Sequence, residues 1–150
     1  MSSFYCGIDF GTSNSSVAVA SAQPPPQLVA VENNHTSIPS SIFYSTGQLP
    51  LFGHAAFNAY ISGREGRLMR SLKRVLGTDL MSAGTSVNGR HARFEHILAQ
   101  FIGYLKSAAE KTVGQEINAV VMGRPVRFRD NDPQGDHRAE AELEAIARSI

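Results

Sequence analysis

The sequence predicts an α/β fold: a mixed sheet of about five strands, the first three antiparallel and a later one parallel, with flanking helices. Three observations carry that expectation. Phe4–Phe10 and Ser16–Ala20 are apolar strand patterns joined through Gly11, Thr12, Ser13 and Asn14, which reads as a tight hairpin. Phe94, Ile97, Leu98, Phe101, Ile102, Leu105, Ala108 and Ala109 recur three and four residues apart, the continuous apolar stripe of one long helix. Ile117–Met122 then has the β-branched run of a buried strand, as in a helix-then-parallel-strand unit. A chain of 150 residues buries about two thirds of its unfolded surface, enough for one core.

The elements follow in order. Pro24, Pro25 and Pro26 interrupt the second strand as a stiff connection, too short for a polyproline recognition site. A third strand is expected at Gln27–Glu32, a turn at Asn33–His35, a short strand at Ile42–Tyr44 and a turn at Thr46-Gly47-Gln48 leading to Leu51-Phe52. Helix is expected over His54–Ile61 and again over Arg67–Leu76, with Gly77 at a C-terminal cap. Thr78–His91 carries Gly84 and Gly89 and neither period, which predicts an exposed loop. The long helix runs from Arg93 to Val113 and ends near Gly114. Arg129–Gly135 is a polar turn, and Asp136 is the expected cap of a last helix with Ala139, Leu143, Ile146, Ala147 and Ile150 inward. That helix is still in register at Ile150, which suggests a chain cut within a larger fold.

The chemical signal is concentrated in the first hairpin. Asp9 ends an apolar strand, where a buried acid needs a cation or donors to offset its desolvation, and it could hold a hydrated divalent cation. Gly11 permits positive φ and close approach by a ligand, while Thr12 and Ser13 offer donors to phosphate oxygens as an anion-binding nest does. The plainer alternative is an ordinary Gly-Thr-Ser-Asn hairpin turn. No Gly-x-x-x-x-Gly-Lys-Ser/Thr occurs, so a nucleotide here would be held by a hairpin and not by a P-loop. Arg64, Arg67, Arg70, Lys73 and Arg74 cluster, which on a helix is usually a solvated face. Leu68, Leu72, Val75 and Leu76 would form its buried side, with Lys73 near the edge, able to reach a cleft.

Composition narrows the function classes. Fourteen basic and thirteen acidic residues give a net charge of +1, which supports neither a nucleic-acid nor a membrane-surface role. Cys6 is the single cysteine, so no intramolecular disulfide forms and a reducing, cytoplasmic setting is expected. The N-terminus runs straight into a strand, and no apolar stretch approaches membrane-spanning length. His91 and His96 are five residues apart, which does not suit one helix face, and no Cys pair completes a zinc set.

Gly7–Val19 resembles the first phosphate loop of the actin, sugar-kinase and seventy-kilodalton heat-shock ATPase superfamily. Three later segments resemble the heat-shock branch in order and spacing: Thr36-Ser37-Ile38-Pro39-Ser40, Gly53-His54-Ala55-Ala56, and Ser71-Leu72-Lys73-Arg74-Val75-Leu76-Gly77, which is similar to its catalytic-lysine segment. The resemblance covers nearly the whole chain. It implies an actin-like ATPase (ribonuclease H-like) fold, with residues 1–150 as an incomplete lobe I, and a reaction using ATP/ADP and Mg. It further implies Lys73 and Asp9 as catalytic residues, Asp9 holding the metal through water, and Gly11, Thr12, Ser13 and Asn14 at the phosphates. Pro125 and Arg138 match, by order and approximate spacing, residues that relay nucleotide state to a substrate domain. The plainer reading is a strand end and an exposed first-turn arginine.

The departures are also specific. Gly123, Arg124, Pro125, Val126, Arg127 and Phe128 stand where typical heat-shock chaperones carry Val-Pro-Ala-Tyr-Phe. With the Asn33-Asn34-His35 turn, this looks most like the divergent bacterial YegD-type branch. The leading expectation is therefore the N-terminal part of a heat-shock-seventy-like ATPase, with unfolded peptide or a co-chaperone as partner of the longer protein. A sugar-kinase-like phosphotransferase and an actin-like filament or scaffold protein are the alternatives. The second phosphate loop and the adenosine-binding segment would lie beyond Ile150, so the chain alone is expected to be inactive.

Overall fold

The computed structural model describes residues 3–125 and 127–150; Val126, part of the divergent segment, lies outside them. The main sheet has five strands. β1 (Tyr5–Phe10) pairs antiparallel with β2 (Asn14–Ala20) from Tyr5↔Ala20 to Phe10↔Ser15, so the predicted hairpin is present and Asp9 lies opposite Ser16. β3 (Gln27–Leu28) and β4 (Ser37–Pro39) both add antiparallel to β2. β10 (Val120–Met122) lies parallel to the other side of β1, with Gly7 opposite Val121. The third strand is shorter than its expected Gln27–Glu32 because the free edge of β2 is shared. β3 takes Ala18 and Val19, and β4 takes Asn14 to Ser16.

The predicted strand at Ile42–Tyr44 exists as β5 (Ser41–Tyr44), but in a separate three-stranded sheet between β6 (Leu51–Phe52) and β7 (Arg67–Arg70). α1 (Gly53–Ile61) packs Ala56 and Ala59 against Phe43 of that sheet. The helix expected over Arg67–Leu76 is absent. Residues 67–70 are strand β7, paired with all four residues of β5, and Leu72–Val75 is a single 3-10 turn. Leu68, Leu72 and Val75 do have helical spacing, but β5 needed a partner, and tertiary pairing overrode local preference. Ser71, at φ 56 and ψ 36, ends the strand.

Thr78–His91 is likewise structured. It contains the short helix α2 (Leu80–Ala83) and a hairpin, β8 (Thr85–Val87) and β9 (Arg90–Ala92). Val87 pairs with Arg90 across Asn88 (φ 52) and Gly89 (φ 74), the two-residue turn that Asn-Gly favours. α3 (Phe94–Val113) ends at Gly114, as predicted, and Gly114 is in the left-handed conformation. α4 (Pro133–Ser149) begins earlier than expected. Its cap is Asp132, whose side chain accepts from the Gly135 N–H at 2.9 Å, and not Asp136, which lies in the first turn.

Strand alternation sends Cys6, Ile8 and Phe10 of β1 and Val17 and Val19 of β2 to one face of the sheet. There they meet Ile97, Leu98, Phe101, Ile102 and Leu105 of α3, the rings of Phe10 and Phe101 standing 5.8 Å apart. Each such side chain contributes about 1.5–3 kcal/mol when fully buried. Leu72, Leu76 and Met81, with Ala139, Leu143 and Ile146 of α4, extend the same core. The chain is thereby fixed on both sides of Lys73. Among the described residues, no helix is long and apolar enough to cross a membrane.

Candidate functional site

The alternation that fills the core places Asp9 on the opposite face, and Asp9 is exposed. This corrects the expectation of a buried acid. The carboxylate stands at the strand's end beside the turn, open to solvent. Gly11 and Thr12 are half-buried, and Ser13 and Asn14 are exposed. Gly11 is required for a different reason from the one predicted. Its φ is not among the positive values; instead, a Cβ there would collide with the Asn14 carbonyl oxygen across the turn.

The turn is held from behind by β4 and the residue that follows it. The Ser40 N–H donates to the Ser13 carbonyl at 2.9 Å, and the Ser40 hydroxyl donates to the Gly11 carbonyl at 2.7 Å. Ser40 Oγ is also 2.7 Å from Ser15 Oγ. A hydroxyl has one proton, and that of Ser40 is used on Gly11, so Ser15 is the donor in this pair. Both serines are 2% exposed. The Thr36–Ser40 segment therefore acts as a brace for the hairpin. Ser15 was missed from sequence because nothing marks it apart from the neighbouring hydroxyls.

A second brace links the two sheets. Glu32 accepts from the backbone N–H groups of His54 (2.8 Å) and Ala55 (2.6 Å), and its Oε2 is 2.9 Å from His54 Nδ1. The carboxylate thus caps α1, whose N-terminal residue Phe52 has no side-chain cap, and its charge suits a helix N-terminus. Gly53, at φ 61, leaves the space: a Cβ would lie 2.8 Å from Glu32 Oε2 and 3.0 Å from Ile38. Sequence reading placed Glu32 at the end of a strand and missed this contact, which a separation of more than twenty residues hides.

Lys73 is half-buried on the 3-10 turn, not on a helix. Burial lowers its pKa, and the negative charge of Asp9 opposes that shift. Asp9 and Lys73, distant in sequence, are therefore within each other's electrostatic reach. Lys73 Nζ also stands 5.5 Å from the centre of the Phe128 ring. Pro125 is half-buried after β10, and its carbonyl accepts from Arg124 Nε at 3.1 Å. Arg138, on α4, pairs with Asp79 at 3.0 Å and with Glu142 at 2.9 Å. Glu142 in turn accepts the Gly77 N–H at 2.7 Å. Arg138 is thus tied, through Asp79 and Glu142, to the end of the Lys73 segment.

The donor set fits a nucleotide with a divalent cation: an accessible carboxylate, a turn of hydroxyls and backbone N–H groups, and an ammonium nearby. Among the described residues, no group of three or more His, Cys, Asp or Glu is placed to hold a metal ion. The family model for the Hsp70 protein matches residues 5–86. This chain belongs to the Hsp70 family. Its fold is accordingly the actin-like ATPase fold of that family, seen here as a mixed sheet with one parallel pair. The Hsp70 match spans the hairpin, the Ser40 brace, the Glu32 cap and Lys73.

Among similar proteins, the chaperone protein DnaK of Mesomycoplasma hyopneumoniae (strain J) is 34% identical over 122 residues, covering 81% of this chain and 19% of the relative. The DnaK of Ureaplasma urealyticum serovar 10 is 33% identical over 133 residues, 89% of this chain and 21% of the relative. That of Mycoplasmoides gallisepticum is 32% identical over 139 residues, 89% and 22%. The chain therefore spans about a fifth of the length of the curated relatives it matches.

Proposed function

We propose that this Hsp70-family chain supplies the first phosphate loop and the catalytic lysine of an ATPase whose hydrolysis drives a conformational, chaperone-like cycle in a longer protein. Residues 1–150 are read as the N-terminal part of lobe I. The observation that supports the reading is an exposed Asp9 carboxylate leading into a braced hydroxyl turn, with Lys73 within its electrostatic reach. Asp9 would hold hydrated Mg²⁺, and Gly11, Thr12, Ser13 and Asn14 would face the phosphates. The Lys73 ammonium would stand where charge develops on the transferring group and where attacking water must be oriented, the two tasks phosphoryl transfer sets a protein. Mg²⁺, when bound, would supply charge neutralisation at the phosphates.

The Gly123–Phe128 segment, with Arg124 in place of the usual residue before the proline, supports the YegD-type bacterial branch. In that reading Pro125 and Arg138 couple nucleotide state to the rest of the protein, and an unfolded peptide or a co-chaperone is the partner. A cytoplasmic location agrees with the buried free thiol of Cys6. The test is Lys73→Ala in the full-length protein. Hydrolysis falls by at least about a hundredfold while Mg·ATP affinity is retained. An unchanged hydrolysis rate returns Lys73 to the solvated face. Calorimetric titration of the 150-residue chain with Mg·ATP gives weak or undetectable binding; tight binding with turnover would overturn the half-cleft reading.

A further inference from the structure

The Lys73 ammonium has a second neighbour besides Asp9. Its Nζ lies 5.5 Å from the centre of the Phe128 ring, and the Arg124 guanidinium carbon lies 5.3 Å from the same centre. A half-buried ammonium loses water, and an aromatic face is one of the few uncharged groups that restores part of that loss. We propose that Phe128 is a positioning residue for Lys73, its ring carrying the ammonium and fixing where it stands beside the hairpin. The proposal rests on the ATPase reading of Lys73.

The ring is itself held. The Phe128 N–H donates to Asp136 Oδ1 on α4, and this bond, with the nearby Arg124, holds the Asp136 carboxyl below the usual range. Arg124 reaches Asp136 at 3.2 Å and Glu140 at 2.5 Å, so the same helix also fixes the second cation at the ring. The other end of the Lys73 segment is bound to α4 as well. Glu142 accepts the Gly77 N–H at 2.7 Å, and Gly77, at φ 74, lies so close to α4 that an added Cβ would strike the Gly135 carbonyl. A lysine side chain is a flexible four-carbon stem. Here both its backbone and the surface on which its tip rests are anchored to one helix. Phe128 stands where the Val-Pro-Ala-Tyr-Phe pattern also ends in phenylalanine, whereas Arg124, which reaches the same ring and is tied to α4, is a departure from that pattern.

Two measurements test this. With lysines reductively methylated by ¹³C, the Lys73 signal, identified by its loss in Lys73→Arg, is displaced upfield by the ring. Phe128→Leu abolishes the displacement, Phe128→Met does the same, and Phe128→Tyr keeps it. In the full-length protein, Phe128→Leu lowers kcat for ATP hydrolysis about tenfold. Mg·ADP affinity stays within about twofold, and Phe128→Tyr restores the rate. A Lys73 signal indifferent to Phe128→Leu, or a wild-type rate in Phe128→Leu when Lys73→Ala is inactive, overturns the proposal. Wild-type hydrolysis by Lys73→Ala would instead overturn the role of Lys73 itself, with the resonance measurement still deciding whether the ring carries it.

Discussion

Replacing Ser40 with alanine should weaken the protein more than replacing Ser15, although the two hydroxyls touch each other. Ser40 gives its only proton to the Gly11 carbonyl at 2.7 Å and accepts the proton of Ser15. Ser40→Ala therefore loses two bonds and strands the Ser15 hydroxyl, which is 2% exposed, without a partner. A net hydrogen bond is worth about 1 kcal/mol, and an unpaired buried donor costs about 1–3 kcal/mol, so the loss is about 2–4 kcal/mol. Ser15→Ala removes one bond and leaves the Ser40–Gly11 bond intact, for about 0.5–1.5 kcal/mol. In the double variant no hydroxyl is stranded, so its loss should be smaller than that of Ser40→Ala alone. Urea unfolding followed by far-ultraviolet circular dichroism, with an unchanged m-value, measures all three. Ser40→Ala costing no more than Ser15→Ala, or strict additivity in the double variant, would refute the assigned direction of the Ser15–Ser40 bond.

Two further outcomes follow from Glu32 and Cys6. Glu32→Ala leaves the first N–H groups of α1 without their 2.8 and 2.6 Å acceptors, and the same unfolding assay should register a loss of about 1–2 kcal/mol. Glu32→Gln, which retains one carbonyl acceptor, should lose less, and equal losses would argue against capping. Burial pushes the Cys6 thiol up to about 11 from 9.0. Because the folded value is the higher one, this contribution to stability is complete below pH 9 and is lost as pH rises towards 11. Stability profiles of the wild-type and Cys6→Ala proteins should therefore converge across that window. A difference between them that stays constant from pH 8 to 11 would show that the thiol is not shielded in the fold.

The sequence alone determined the parts whose information is local. The hairpin was legible because Phe4–Phe10 and Ser16–Ala20 are apolar runs around a glycine-hydroxyl turn, and α3 because twenty residues hold one apolar stripe. A parallel strand was legible after that helix, although of the expected buried run Ile117–Met122 only Val120–Met122 forms it, with Val121 exposed. The segments carrying the Hsp70 resemblance were legible for the same reason, since each is a short run of residues. The β8–β9 turn was also available in the Asn88-Gly89 pair, although the lack of periodicity around it suggested a loop.

Only the tertiary structure decided the rest. Leu68, Leu72 and Val75 have helical spacing, yet residues 67–70 form a strand, because an edge of β5 gains four paired residues there. Asp9 stands on the open face because Ile8 and Phe10 take the core face, and a strand cannot send neighbours the same way. The brace of Ser15 and Ser40, the cap of Glu32 and the ring under Lys73 each join residues separated by more than twenty positions. Pairings of that range are fixed by how the sheets and α4 pack, which no local pattern encodes. The sequence thus named the residues that resemble an ATPase site, and packing determined which other side chains hold them in place.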